Sequence, residues 1–286
     1  MKEVVRQIVL WLGIMAILTM LALGLWMLLF DGAQTTTSLK WLQLFQLLSM
    51  LALPPILGAW IWTADHQPFR WLRLDVGMTW QVALLAILVM VCAIPGINLL
   101  ADLNGKVVLP KSLDFIELFL RQQEDAAAAL TQRFLQADNF GGLLLNIGLM
   151  ALLPALAEEL TFRGTMMQIL HHTPSKANAH MAVWIAAIIF SAVHMQFYGF
   201  IPRMLLGAMF GYAFLWTGCL WVPILMHFTN NAIAVLSYYL FDEIGQNGQS
   251  LADMVGTGRM WWIGAISIVL TLGLVWLLRT HASKQK

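Results

Sequence analysis

The stretch FGGLLLNIGLMALLPALAEELTFRG, residues 140–164, decides how this chain is read. Its first part, 140–157, contains no ionisable side chain. An apolar helix of that length comes close to the roughly 20 residues that cross the hydrocarbon of a bilayer. Then Glu158, Glu159 and Arg163 arrive together. Charged groups at the edge of such a run are costly in lipid and usually serve a function, so they mark the place to look for chemistry.

Outward from this stretch the same apolar pattern repeats. Runs at 8–30, 41–62, 79–100, 181–201, 204–220, 221–240 and 260–278 are each near membrane-spanning length. In lipid the backbone must satisfy its own hydrogen bonds, which makes helices the form for these runs. The expectation is an all-α, polytopic transmembrane bundle of about eight spans, with Pro54-Pro55 kinking the second. Composition agrees: 60% of the 286 residues are hydrophobic and 11% are charged, against about 25% charged in an ordinary soluble domain. A water-soluble globular enzyme and a disordered chain are both excluded. A net charge of +1 gives no reason to expect nucleic acid as a partner. Cys92 and Cys219 both sit in apolar runs and imply no disulfide framework. The first run follows Lys2 and Arg6 and exceeds the 7–15 residues of a signal-peptide core, so it is read as a retained anchor.

With eight spans both termini share a side. Placing them in the cytoplasm puts Lys2, Arg6, Arg70, Arg73, Arg163, Lys176, Arg279, Lys284 and Lys286 inside, opposed by Glu3, Asp65 and Asp75. This is the positive-inside bias. It predicts an integral protein of the bacterial inner (cytoplasmic) membrane with both termini cytoplasmic. Residues 1–286 read as a single transmembrane domain, and 101–139 as an extracytoplasmic loop. Within the loop Leu113, Ile116 and Leu120 share one helical face, extended by Leu130 and Phe134. That pattern predicts an amphipathic helix on the membrane surface or capping the bundle.

Three polar clusters interrupt the apolar core at 140–240. In the first, Glu159 and Arg163 stand four apart on one helical face and can pair. Glu158 points about 100° away and is free for other work. The plain alternative is an acid pair that ends the fourth span near the headgroups. In the second, Phe190 and His194 share a face; a single histidine in a span is often only a satisfied hydrogen-bonder. In the third, His227 and Asn231 stand at i and i+4, with Asn230 one step off towards a helix–helix contact. Together they offer what peptide-bond hydrolysis requires. Glu158 can take a proton from water, His194 can position or share that proton, and His227 and Asn231 can stabilise an oxyanion. Glu158, His194 and His227 could instead hold one zinc ion with an open water position. The His-Glu-x-x-His arrangement of common zinc peptidases is absent.

The ordered motifs Glu-Glu-x-x-x-Arg at 158–163, Phe-x-x-x-His at 190–194 and His-x-x-x-Asn at 227–231, with Gly164 after the first, resemble those of the CPBP family. This is the CAAX protease and bacteriocin-processing, or Abi, family. The resemblance implies a glutamic-type intramembrane endopeptidase whose cavity opens to the cytoplasmic side. By that likeness Glu158 activates water with His194, while His227 and Asn231 form the oxyanion side. Glu159, Arg163 and Phe190 support them. It also implies a metal-independent mechanism in preference to zinc. The implied substrate is a membrane-associated protein, peptide or lipopeptide, with prenylated Cys-a-a-X termini as the narrower case. A transporter using the buried charges, and a non-catalytic scaffold or immunity protein, are the rival classes.

Overall fold

In lipid a chain with this many apolar runs has one economical solution, antiparallel helices joined by short turns, and that is the arrangement found. The computed structural model describes residues 2–171, 176–241 and 255–283. The helices used below are α1 (Lys2–Phe30), α2 (Thr36–Trp62), α3 (Trp80–Gly105), α4 (Asp114–Leu135), α5 (Phe140–Leu170), α6 (Lys176–Ala192), α7 (Phe200–Thr217), α8 (Trp221–Phe241) and α9 (Trp261–Ser283). Among the described residues six helices, α1, α2, α3, α5, α7 and α9, are long and apolar enough to cross a membrane. The expected count of eight further requires α6 and α8. The first has 17 residues; the second has 21 but is diluted by His227, Thr229, Asn230 and Asn231. Lys284 and Lys286, two of the charges assigned to the inner side, lie outside the described residues.

Alternation gives the bundle two ends. The starts of α1, α3, α6 and α8 and the ends of α2, α5, α7 and α9 lie at one end, called here the termini face. Bonds across the turns tie this end together: the Leu220 amide donates to the Arg73 carbonyl at 3.1 Å, and Gln168 donates to the Trp71 carbonyl at 2.9 Å. At the opposite end lies α4, the amphipathic helix expected within 101–139. Its Arg133 donates to the Thr36 hydroxyl at 2.8 Å and to the Gln34 carbonyl at 2.7 Å. That contact fastens α4 over the turn between α1 and α2.

Small residues let the helices approach. Gly96 of α3 faces α9, where an added Cβ would come within 2.8 Å of Ile268. Its amide instead donates to the Ser267 hydroxyl at 3.0 Å, and that hydroxyl donates to the Cys92 carbonyl. Gly207 of α7 lies against Ala187 of α6 in the same manner. Such close backbone contact drives helix association where the solvent is as apolar as the side chains. By contrast α1 buries Trp11 and Trp26 and turns most of its apolar surface outward; Trp26 fixes it by donating to the Ser38 carbonyl at 2.9 Å.

Two differences from the expectation have a common cause in helix geometry. The disturbance at Pro54-Pro55 takes the form of a π-helical segment, Leu47–Ala52, immediately before the prolines. A second, Ile147–Leu152, precedes Pro154. A widened turn accommodates the hydrogen bond that proline cannot make. The fourth span also does not stop at 157. Helix α5 continues through a third π segment, Phe162–Met167, to Leu170. Glu158, Glu159 and Arg163 are therefore inside a helix and do not end it.

Candidate active site

The first motif divides into two environments because adjacent helical residues point in different directions. Glu159 and Arg163 both have fully buried side chains, and Arg163 Nη1 donates to Glu159 Oε1 at 2.6 Å. Burying two charges is costly, and it is tolerated when further hydrogen bonds surround the pair. Arg163 Nη2 donates to the Gly207 carbonyl of α7 at 2.6 Å. Its guanidinium carbon lies 4.9 Å from the centre of the Phe190 ring and 5.3 Å from that of Phe210. Glu159 Oε1 also accepts from His227 Nδ1 at 2.9 Å. One ion pair thus joins α5 to α7 and α8. Gly164 makes room beside it, since a Cβ there would come within 3.1 Å of Leu72 and 3.2 Å of Leu220.

Glu158 faces the other way, into a cavity of about 320 Å³. Its Oε2 is buried and has no hydrogen-bond partner within the chain, and lies 3.9 Å from His227 Nε2. The cavity brings together Glu158, Phe190, His194, His227 and Asn231 from four segments of the chain. The site residues read from the three motifs thus fall in two layers. Glu158, His194, His227 and Asn231 line the cavity with Phe190, and Glu159 and Arg163 stand behind them.

The hydrogen bonds orient both imidazoles. His227 Nδ1 faces the Glu159 carboxylate, an acceptor, so Nδ1 carries a proton and Nε2 is the nitrogen turned towards Glu158. His194 Nδ1 lies 2.7 Å from the Phe190 carbonyl, also an acceptor, which again places the proton on Nδ1. Phe190 meets the two rings edge-on, with centroids 5.2 Å from His194 and 5.9 Å from His227. Phe210 stacks on His227 at 5.2 Å. His194 is not on a helix. It sits in the turn after α6, where Met195 takes a positive φ of 56°, and its ring folds back on Phe190.

Asn230 and Arg203 also line the cavity. Asn230 donates to Asn231 Oδ1 at 3.1 Å, which leaves the Asn231 amide nitrogen as its donor. Arg203 is the residue the sequence reading missed. Starting the sixth span at 204 left it in a loop, whereas α7 begins at Phe200 and carries it in the first turn. The available signal was an arginine flanked on both sides by apolar residues.

The cavity has a direction. Its lining includes Ala101 near the end of α3, Gly199 in the turn before α7 and Arg203 in the first turn of α7, all towards the α4 end. Towards the termini face it is closed by Phe210, Leu220, Val222 and Met226, all essentially inaccessible. The cavity therefore lies nearer the end opposite the termini. Among the described residues no three His, Cys, Asp or Glu side chains are gathered so as to hold one metal ion.

Comparison with known proteins supports the motif reading over this region. Residues 140–233 match the Rce1-like family, described as type II CAAX prenyl endopeptidase Rce1-like, so the resemblance to the CPBP family holds for the segment that carries the motifs. The chain is 32% identical over 92 residues to the uncharacterized protein YpbD of Bacillus subtilis (strain 168). That match spans 31% of this chain and 43% of the relative's length. No solved structure matches the chain.

Proposed function

We propose that this integral membrane protein is an intramembrane endopeptidase that uses Glu158 to activate water. The observation that carries the reading is the unpartnered Glu158 Oε2 inside a cavity that gathers His194, His227 and Asn231. A water between Glu158 and His194 gives up a proton to the carboxylate as its oxygen attacks the peptide carbonyl. The proton then passes to the departing amine, which keeps the exchange balanced. Asn231 supplies an amide donor to the oxyanion. His227, held through Nδ1 by Glu159, supplies a second donor from Nε2 when that nitrogen carries a proton. The reaction as written uses protein groups alone.

The substrate class is a peptide segment held at or in the membrane, with a prenylated Cys-a-a-X terminus as the specific form the family description suggests. With the termini in the cytoplasm, as the excess of Lys and Arg on their face favours, the cavity lies nearer the extracytoplasmic side. The decisive test is hydrolysis of lipidated peptides by the purified protein. Activity abolished by Glu158→Gln without loss of folding is expected; activity equal in the variant overturns the assignment. Chelator treatment with metal analysis tests the metal-free chemistry, since stoichiometric metal lost together with activity would refute it. Orientation is tested separately by labelling an introduced Ala101→Cys in intact cells after removal of the native cysteines. Reaction with an impermeant maleimide is expected, and labelling only after the cells are opened would reverse the assignment.

A further inference from the structure

The cavity contains one cation that the proposed hydrolysis does not use. Arg203 projects from the first turn of α7 into the space shared by Glu158 and His194. One edge of its guanidinium is fixed: Nη2 donates to Gln196 Oε1 at 2.7 Å. Gly199 accommodates this placement, because a Cβ there would lie 3.0 Å from Nη2. The other edge is left open. Nη1 is buried and has no hydrogen-bond partner. The turn bearing Gln196 and Gly199 is itself held in place, with Asn104 of α3 donating to the Phe197 carbonyl at 3.1 Å and accepting from the Ile201 amide at 3.0 Å.

A guanidinium with one edge held and one edge unsatisfied is prepared for an anion, and a planar carboxylate matches its paired donors. The low-dielectric walls, including Phe190, Pro202, Leu206 and Phe210, strengthen such a contact relative to water. Structural bracing of the turn accounts for Nη2 and Gln196. It does not account for a buried Nη1 without a partner, since an unpaired charged donor is costly. Glu124 of α4 and Glu158 both act on the Arg203 charge electrostatically, and neither forms a hydrogen bond to Nη1.

We infer that Arg203 is a specificity-determining residue that binds the free C-terminal carboxylate of the peptide substrate. This rests on the endopeptidase reading and narrows it to cleavage near a chain end. Substrates with a terminal acid gain an ion pair inside the cavity, and internal segments do not.

The test compares two quenched fluorescent peptides that each carry an S-alkylated cysteine three residues from the C-terminus, one ending in a free acid and one in an amide. The wild-type protein in detergent is expected to favour the acid at least about tenfold, chiefly through KM, equivalent to about 1.4 kcal/mol. In Arg203→Gln that ratio is expected to fall towards one, with Arg203→Lys intermediate. A wild-type ratio near one, or a ratio retained in Arg203→Gln, overturns the inference. Binding of both peptides to Glu158→Gln, measured by fluorescence anisotropy, separates this result from the chemistry. Acid-selective binding by Glu158→Gln that an added Arg203→Gln abolishes upholds the anchor even if no cleavage is found, and equal binding of acid and amide refutes it even if cleavage is robust. Should Arg203→Gln fail to fold, Arg203→Lys carries the comparison, and an undiminished acid preference in that variant counts against the anchor.

Discussion

The chain contains the pattern Glu-x-x-x-Arg twice in comparable helical form, once partly exposed and once fully buried. On α4, Glu117 and Arg121 meet at 2.7 Å with 15% and 43% of their side chains exposed. On α5, Glu159 and Arg163 meet at 2.6 Å with no exposure. Spacing and distance are nearly the same, yet the pairs perform different work. The α4 pair secures a loop: Glu117 Oε2 also accepts from the Leu109 amide at 2.8 Å, and Arg121 lies over the Tyr198 ring at 4.3 Å. The α5 pair organises three helices and fixes His227 at the cavity. An ion pair's meaning is therefore set by what surrounds it: water discounts the first and shares its load, while burial makes every remaining hydrogen bond of the second consequential.

Removing the buried cation should have the largest effect. Arg163→Ala strands the Glu159 carboxylate and the Gly207 carbonyl, so a loss of about 3–5 kcal/mol is expected, visible as a collapsed melting temperature in detergent. A variant that melts like the wild type would place the pair's weight elsewhere. Next comes Glu158→Gln, expected to lower peptide hydrolysis by about 10²–10⁴ as for a removed general base, with an unchanged melting temperature. The adjacent Glu159→Gln should differ in kind, losing thermal stability and activity together. If the two neighbours behave alike, the division between a working and a supporting carboxylate fails.

The solvated pair should respond least. Glu117→Gln is expected to leave the melting temperature unchanged while speeding hydrogen exchange at the Leu109 amide. Its acid response has a definite sign. The Leu109 amide and then Arg121 hold the Glu117 carboxyl below its ordinary value. The contribution to α4 is thus present above the unfolded pKa of about 4.3 and is lost as pH falls below it through the lowered folded value. Exchange at Leu109 should accelerate in that window in the wild type and not in the variant. The same acceleration in both would assign the acid sensitivity to another group.

Much of this was legible in the sequence because the bilayer imposes simple rules. Apolar length located helices such as α1 and α3, and the i, i+4 spacing paired Glu159 with Arg163. Where those rules run out, errors appear. Hydropathy ended the fourth span at 157 because charges begin at Glu158, although pairing inside the bundle allows α5 to continue to Leu170. The same reasoning started the sixth span after Arg203. A hydropathy pattern treats charge as a boundary; a folded bundle can treat it as an interior, once partners are present.

The sequence alone determined that the protein belongs in a membrane, that its polar groups fall in three clusters and that Glu158 and Glu159 point in different directions. These follow from local quantities: composition, run length and the 3.6-residue helical period. Tertiary structure alone decided that Glu159 serves both Arg163 and His227, that Arg203 enters the cavity and that the cavity lies nearer the α4 end of the bundle. Each of these depends on which helices stand side by side and at what depth. Residues far apart in the chain set that arrangement through close contacts such as Gly96 with Ser267 and Gly207 with Ala187, and spacing within a single helix carries no record of it.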